Sequence, residues 1–352
     1  MRTTNELKKV LKDHLNWNAA RLAFLACFLS SLFIVRSVNF KKVANKLNCS
    51  VSEDSNYKRI QRFFRYFNID YYIIAKLISA ILPCTNQKWI ITFDRTNWKF
   101  GNININILTL GIVYNGIAFP LFWIMLDKKG NSNTNERIEL FNKFLKLFGI
   151  DKIDCFLADR EFVGEKWFQY LIHTLGIKFR IRVRNTEKIN KKNGYSAPLN
   201  NFFRNIKIGE YKLLENRRTI WNHPLYIVGT KSINGELVIL ATDQAPETAL
   251  EDYAKRWGIE SLFKCLKTSG FNFEDTHLTN LERVNKLMAL LAIAFTWAYL
   301  TGEWKSKNKH IRLKTHGRKE KSVFRLGVVC KMKVHHLRCL SWLPSTPLKK
   351  KL

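Results

Sequence analysis

Residues 88–97 read KWIITFDRTN and residues 103–126 read ININILTLGIVYNGIAFPLFWIML. The first is an apolar, strand-like run that stops at a carboxylate, Asp94. The second is a pair of apolar runs around Asn115-Gly116, residues that tolerate the positive φ angles of a two-residue hairpin turn. Outward from there, residues 134–148 place apolar side chains at helical spacing. Residues 153–158 are another short apolar run, followed directly by Asp159. Residues 164–175 read as helix and residues 177–184 as strand.

Strand, hairpin, helix, strand, helix, strand describes an α/β fold. It is a mixed sheet with flanking helices, of the ribonuclease-H-like kind. Residues 1–83 read as helical throughout. Within them, a short basic helix at 40–47, a polar turn at 48–55 and a helix at 57–67 rich in Lys, Arg and aromatics form a loose helix-turn-helix signal. A helical bundle with a charged outer face would look the same. Residues 185–242 change texture to short strands at 211–220, 225–231 and 236–241, the last two joined by Asn234-Gly235, and read as a β-rich insertion. Helical texture returns at 246–267 and, strongly apolar, at 281–300. The expected division is a helical DNA-binding domain over 1–84, a catalytic domain over 85–326 and a basic tail over 327–352.

Lys and Arg number 59 against 28 Asp and Glu, a net charge of +31. Such an excess repels itself unless it meets a polyanion, so nucleic acid is the expected partner, ahead of an acidic membrane surface. Residues 301–352 hold fifteen Lys and Arg against two Glu, which suits nonspecific phosphate binding. The apolar run at 22–35 is too short for a membrane span, which needs about twenty residues, and reads as a buried helix. The cysteines are odd in number, seven, with no CxxC pair, and suit free thiols in a reducing cytoplasm. Cys330, His335, His336 and Cys339 cluster, but their spacing is loose for zinc.

Asp94 and Asp159 each follow a strand, where ligands gather at the exit from a sheet. Two such aspartates could share a divalent metal through hard oxygens, or each could simply form a turn or cap. Tyr253, Arg256, Glu260 and Lys267 sit at offsets that put them within roughly a 60° arc of one helix. Ile259, Leu262, Phe263 and Leu266 form its buried face. The stripe could equally be a solvated face with an Arg256–Glu260 ion pair. Lys178, Arg180, Arg182 and Arg184 alternate with apolar residues, so a strand would show four cations on one face, either toward DNA or toward solvent.

The spacing Tyr253-x2-Arg256-x3-Glu260-x6-Lys267 resembles the tyrosine–arginine–glutamate–lysine signature of the fourth insertion-sequence family of DDE transposases. Asp159-Arg160-Glu161 resembles the motif around that family's second aspartate, and Asp94 resembles its first. A β insertion between the second and third acids also fits, and the resemblance covers about residues 85–326. It implies that Asp94, Asp159 and Glu260 are catalytic and hold Mg²⁺, with Mn²⁺ as substitute. Tyr253, Arg256, Lys267 and Arg160 would contact DNA beside the cut. Trp221 is a candidate to stack a flipped base, although a core tryptophan is the plainer reading. The implied activity is cleavage and strand transfer at insertion-sequence ends. The implied partners are double-stranded DNA, as terminal inverted repeats and target, and a second copy in a synaptic dimer. The expected place is the cytoplasm, on the nucleoid, with no membrane. A nuclease of the same fold that cuts without joining, or a decayed copy that only binds DNA, would carry many of these features.

Overall fold

Four of the first five helices begin on a side chain that caps them. Asn18, Asn39, Ser52 and Asp70 each accept backbone N–H groups of the following turn, which satisfies donors that helix geometry leaves unpaired. The helices are α1 (Arg2–His14), α2 (Ala19–Val35), α3 (Phe40–Lys46), α4 (Glu53–Tyr66) and α5 (Tyr71–Ile81). The computed structural model describes residues 2–47, 50–190, 195–315 and 319–329. The chain forms two units: Met1–Thr85, Trp98–Ile103 and Leu262–Leu352 in one, and Asn86–Asn97 and Asn104–Ser261 in the other.

In the first unit, α2 is the buried helix expected at 22–35, and α3 turns from it by 105°. Asn45 donates to Glu53 at the start of α4 at 2.8 Å, Ser31 donates to the Lys46 carbonyl at 2.8 Å, and Asn56 is buried. The inner face of α4 buries Ile60, Phe63 and Phe64, with Phe63 stacked on Phe24 at 4.4 Å. Its outer face exposes Lys58, Gln61, Arg62 and Arg65.

The second unit is built on β1 (Trp89–Phe100) as far as Asn97, β2 (Ile103–Tyr114) from Asn104, β3 (Ile117–Met125), α6 (Thr134–Phe148), β4 (Ile153–Ala158), α7 (Glu165–Gln169) and β5 (Phe179–Val183). Asn115 and Gly116 take φ of 47° and 75°, and β2 pairs antiparallel with β3 across them, as Asn-Gly requires. Then come β6 (Lys188–Asn190), β7 (Ser196–Pro198), α8 (Leu199–Phe202), β8 (Tyr211–Leu213), β9 (Arg218–Ile220), β10 (His223–Lys231) and β11 (Leu237–Thr242). The main sheet runs β3-β2-β1-β4-β5-β11-β10-β8, with β9 on β10. β1, β4 and β5 are parallel and β11 joins β5 antiparallel. The β-rich stretch thus extends the central sheet. Phe93 points into a core of Phe141, Phe156, Phe162 and Trp167, all fully buried.

Two expectations are corrected. β1 does not stop at Asp94 but continues to Phe100, so Asp94 is a mid-strand residue. The single helix expected over 246–267 is two, α9 (Ala249–Ala254) and α10 (Trp257–Leu266). Between them Lys255, Arg256, Gly258 and Ile259 donate to carbonyls three residues back, tightening the path so that an even 100° step no longer holds. α10 lies against β3 so closely that a Cβ on Gly258 would sit 2.9 Å from the Ile117 carbonyl carbon.

The first unit is completed by α11 (Leu281–Asn308) and α12 (Val323–Val329). α11 is long and apolar enough to cross a membrane, but 89% of its most apolar window is buried inside the protein. It crosses α12 with backbones nearly touching: a Cβ on Gly302 would meet the Val323 oxygen at 1.9 Å, and one on Gly327 the Ala298 oxygen at 1.7 Å. The helices after residue 261 thus share a unit with those before residue 86, a grouping that a division by sequence order does not give. The Cys330–Cys339 cluster and almost all of the basic tail lie outside the described residues. Cys27, Cys84, Cys155 and Cys265 are buried and form no disulfide.

Candidate active site

The pairing of β1 with β4 places Thr92 beside Leu157. Two residues further in that register, Asp94 stands level with Asp159, on neighbouring strands about 4.8 Å apart. Phe93 takes the core side, so alternation turns Asp94 to the opposite face. Asp159 follows the last residue of β4, and the Phe162 N–H bonds back to its carbonyl to close a turn. α9 and α10 bring the remaining groups. The Tyr253 hydroxyl donates to Asp159 Oδ1 at 3.2 Å. Arg256 donates through Nη2 to Glu260, and its Nη1 lies 3.7 Å from Asp94 Oδ2. The five residues Asp94, Asp159, Tyr253, Arg256 and Glu260 therefore form one site.

Its electrostatics follow from burial. Desolvation pushes the Asp94 carboxyl up to about 7, with Glu161 and Asp159 adding to the rise against the pull of the Arg95 N–H and of Arg256. Burial works against the Arg256 charge, but Tyr253 and the carboxylates of Asp159, Glu260 and Asp94 outweigh it and hold the guanidinium above its ordinary value. Burial raises the Tyr253 phenol well above its usual range, so it stays protonated and donates. Beside the site, Arg95 forks to Glu161 at 3.3 Å, Asn106 and Asn131. Arg137 donates to the carbonyls of Glu161 and Val163.

Among the described residues no three His, Cys, Asp or Glu side chains are grouped to hold an ion as they stand. The donor set nevertheless suits a hard divalent cation: three carboxylates, all oxygen. Arg256 is the cation that lies among them.

The other candidates separate. Arg180 is not a surface cation: it is fully buried, ion-paired with Asp252 at 3.2 Å, and donates to Thr242, Thr248 and the carbonyls of Gln244 and Ala245. It ties the start of α9 to the sheet. Lys178 pairs with Asp154 at 3.3 Å and Arg182 pairs with Glu236, while Arg184 and Arg160 are exposed. Lys267 lies in the first unit, bonded to Glu274 at 2.7 Å with its ammonium 5.1 Å from the Trp98 ring. Trp221 and Asn222 take φ of 47° and 62° in the turn between β9 and β10, and one face of Trp221 stacks on Phe168 at 5.2 Å. The roles of Arg95 and Arg180 are not legible in the sequence. Asp94-Arg95 reads as a turn, and a cation alternating with apolar residues carries no mark of burial.

Residues 84–297 match the family described as the transposase DDE domain. No curated protein matches the chain. Among solved structures, a piggyBac transposase synaptic complex with hairpin DNA is similar at 12% identity and a TM-score of 0.47, over 98% of this chain and 80% of that one. Endonuclease V from Bacillus subtilis is similar at 11% identity and a TM-score of 0.24, over 74% and 96%. Both likenesses are remote, and the assignment stands on the domain match, which spans well over half of the sequence: the chain belongs to the transposase DDE domain family.

Proposed function

We propose that this chain is the transposase of a cut-and-paste bacterial insertion sequence, similar to the fourth family, that cuts and rejoins DNA at the element's ends. The observation that carries this reading is the convergence of Asp94, Asp159 and Glu260 on Arg256 and Tyr253. The strand order β3-β2-β1-β4-β5 supports a ribonuclease-H-like core. Asp94, Asp159 and Glu260 would hold Mg²⁺ or Mn²⁺, which supplies Lewis-acid activation of a water or 3′-hydroxyl. Tyr253 steers Asp159 through its hydroxyl, and Arg256 offers a guanidinium to the phosphate beside the cut. Arg160 and Arg184 extend that contact along the duplex. The partners are terminal inverted repeats, target DNA and a second copy of the chain, on the nucleoid.

Residues 1–84 take the DNA-binding role in this reading. The cationic outer face of α4 follows a short capped helix, an arrangement suited to a major groove.

The test is Glu260→Gln. A neutral amide is a poor ligand for a hard cation, so nicking and joining of duplexes copied from the DNA flanking the gene should fall by orders of magnitude. Gel-shift affinity should hold, because a carboxylate repels phosphate. A Glu260→Gln protein that cuts at near wild-type rate would falsify the reading. A wild-type protein that cuts but never joins would make it a nuclease.

A further inference from the structure

Two of the buried arginines in the second unit are bonded in opposite ways. Arg180 spreads its guanidinium over five oxygen atoms of one loop and helix start, as a fixed brace does. Arg256 is held by the carboxylates of Glu260 and Asp94, while the buried Nε of both arginines has no partner among the described residues. It sits at the break between α9 and α10, flanked by the rings of Tyr253 and Trp257, each 5.5 Å from its guanidinium carbon. Those rings give it a surface along which to turn. Glu260 is partly open to solvent, at 39% exposure, so a ligand can reach this pair. A guanidinium drawn toward a phosphate gives up part of its hold on the carboxylates. A divalent ion on those carboxylates would also face a buried positive charge.

We propose that Arg256 is an exchangeable counter-ion. In the DNA-free protein it closes the carboxylate site to metal, and a DNA phosphate opens the site by drawing the guanidinium away from Glu260 and Asp94. The proposal rests on the functional reading above and adds an order to it: DNA first, metal second. Binding of the two is then coupled, and linkage makes the coupling reciprocal.

The experiment measures Mn²⁺ binding by electron paramagnetic resonance on the full chain, without and with duplexes copied from the DNA flanking its gene. Asp94→Asn on the same DNA serves as the blank for Mn²⁺ held by DNA alone. DNA should tighten Mn²⁺ binding to the wild type about tenfold or more, within the usual range for coupled sites, and Mn²⁺ should tighten DNA binding by the same factor. Arg256→Gln should bind Mn²⁺ tightly without DNA and gain little when DNA is added. Arg95→Gln removes an equal charge near Asp94 without touching Glu260, and should leave the coupling in place. Equal gains for Arg256→Gln and Arg95→Gln, or a wild type indifferent to DNA, overturn the exchange. Mn²⁺ binding that ignores Asp94→Asn overturns the active-site reading instead. A wild type indifferent to DNA overturns the exchange whether or not Arg256→Gln folds.

Discussion

Asp94 is held in a place that opposes its own charge. Its carboxyl moves from an ordinary 3.8 to about 7. A carboxyl raised in the folded state destabilises the fold once it ionises. That penalty is absent below about pH 4, grows as pH rises toward 7, and is complete above it. Asp94→Asn in EDTA should therefore raise thermal stability at pH 8, on the order of 2 kcal/mol, and leave it nearly unchanged at pH 4. Unfolding curves at both values check this. An equal shift at both would mean that the group is not desolvated. The acids themselves are legible in the sequence: a carboxylate after an apolar run shows because the run and the charge are adjacent. What surrounds them is not. Arg180 reads as one of four alternating cations, yet its partners Thr242, Gln244, Ala245, Thr248 and Asp252 come from more than sixty positions away, and local pattern holds no trace of them.

At the scale of elements, Asn115-Gly116, α6 and β4 fall where turn chemistry and periodicity put them, since those signals are local. The break between α9 and α10 does not. The path of the chain there is set by what it meets, the backbone of β3 under Gly258. Gly258→Ala tests that contact. Its Cβ would press on main chain at Ile117 and Ala118, which cannot rotate aside, so stability should drop by about 1–3 kcal/mol. Arg256 and Glu260 lie on either side of position 258, so cleavage should suffer more than stability does, about 10²-fold for a displacement near 1 Å. End binding should persist. Single-turnover cleavage beside a melting curve separates the two effects, and an unchanged cleavage rate would show that α10 can shift without cost.

For the whole molecule, a charge of +31 is readable at once as a sign of a polyanionic partner, but its distribution is not. Several cations are already neutralised within the fold, such as Lys178 by Asp154 and Lys267 by Glu274. The exposed face of α4 keeps Lys58, Arg62 and Arg65. Replacing these three by Ala should weaken binding to DNA. The slope of log affinity against log salt should fall by about 0.9 for each phosphate that the variant no longer neutralises. Gel shifts over a salt series measure it, and an unchanged slope would remove α4 from the interface.

The crossing of α11 and α12 bears on how such a gene dies. Gly302 and Gly327 face main-chain oxygens so closely that any side chain would force the helices apart. Every base change at the first or second position of a glycine codon installs something larger or a stop. A copy drifting without selection can thus lose its folded state at either codon while Asp94, Asp159 and Glu260 remain intact in the reading frame. Intact acids in a genomic copy therefore do not certify a working element. The two glycine codons belong beside them in any survey of which copies can still move.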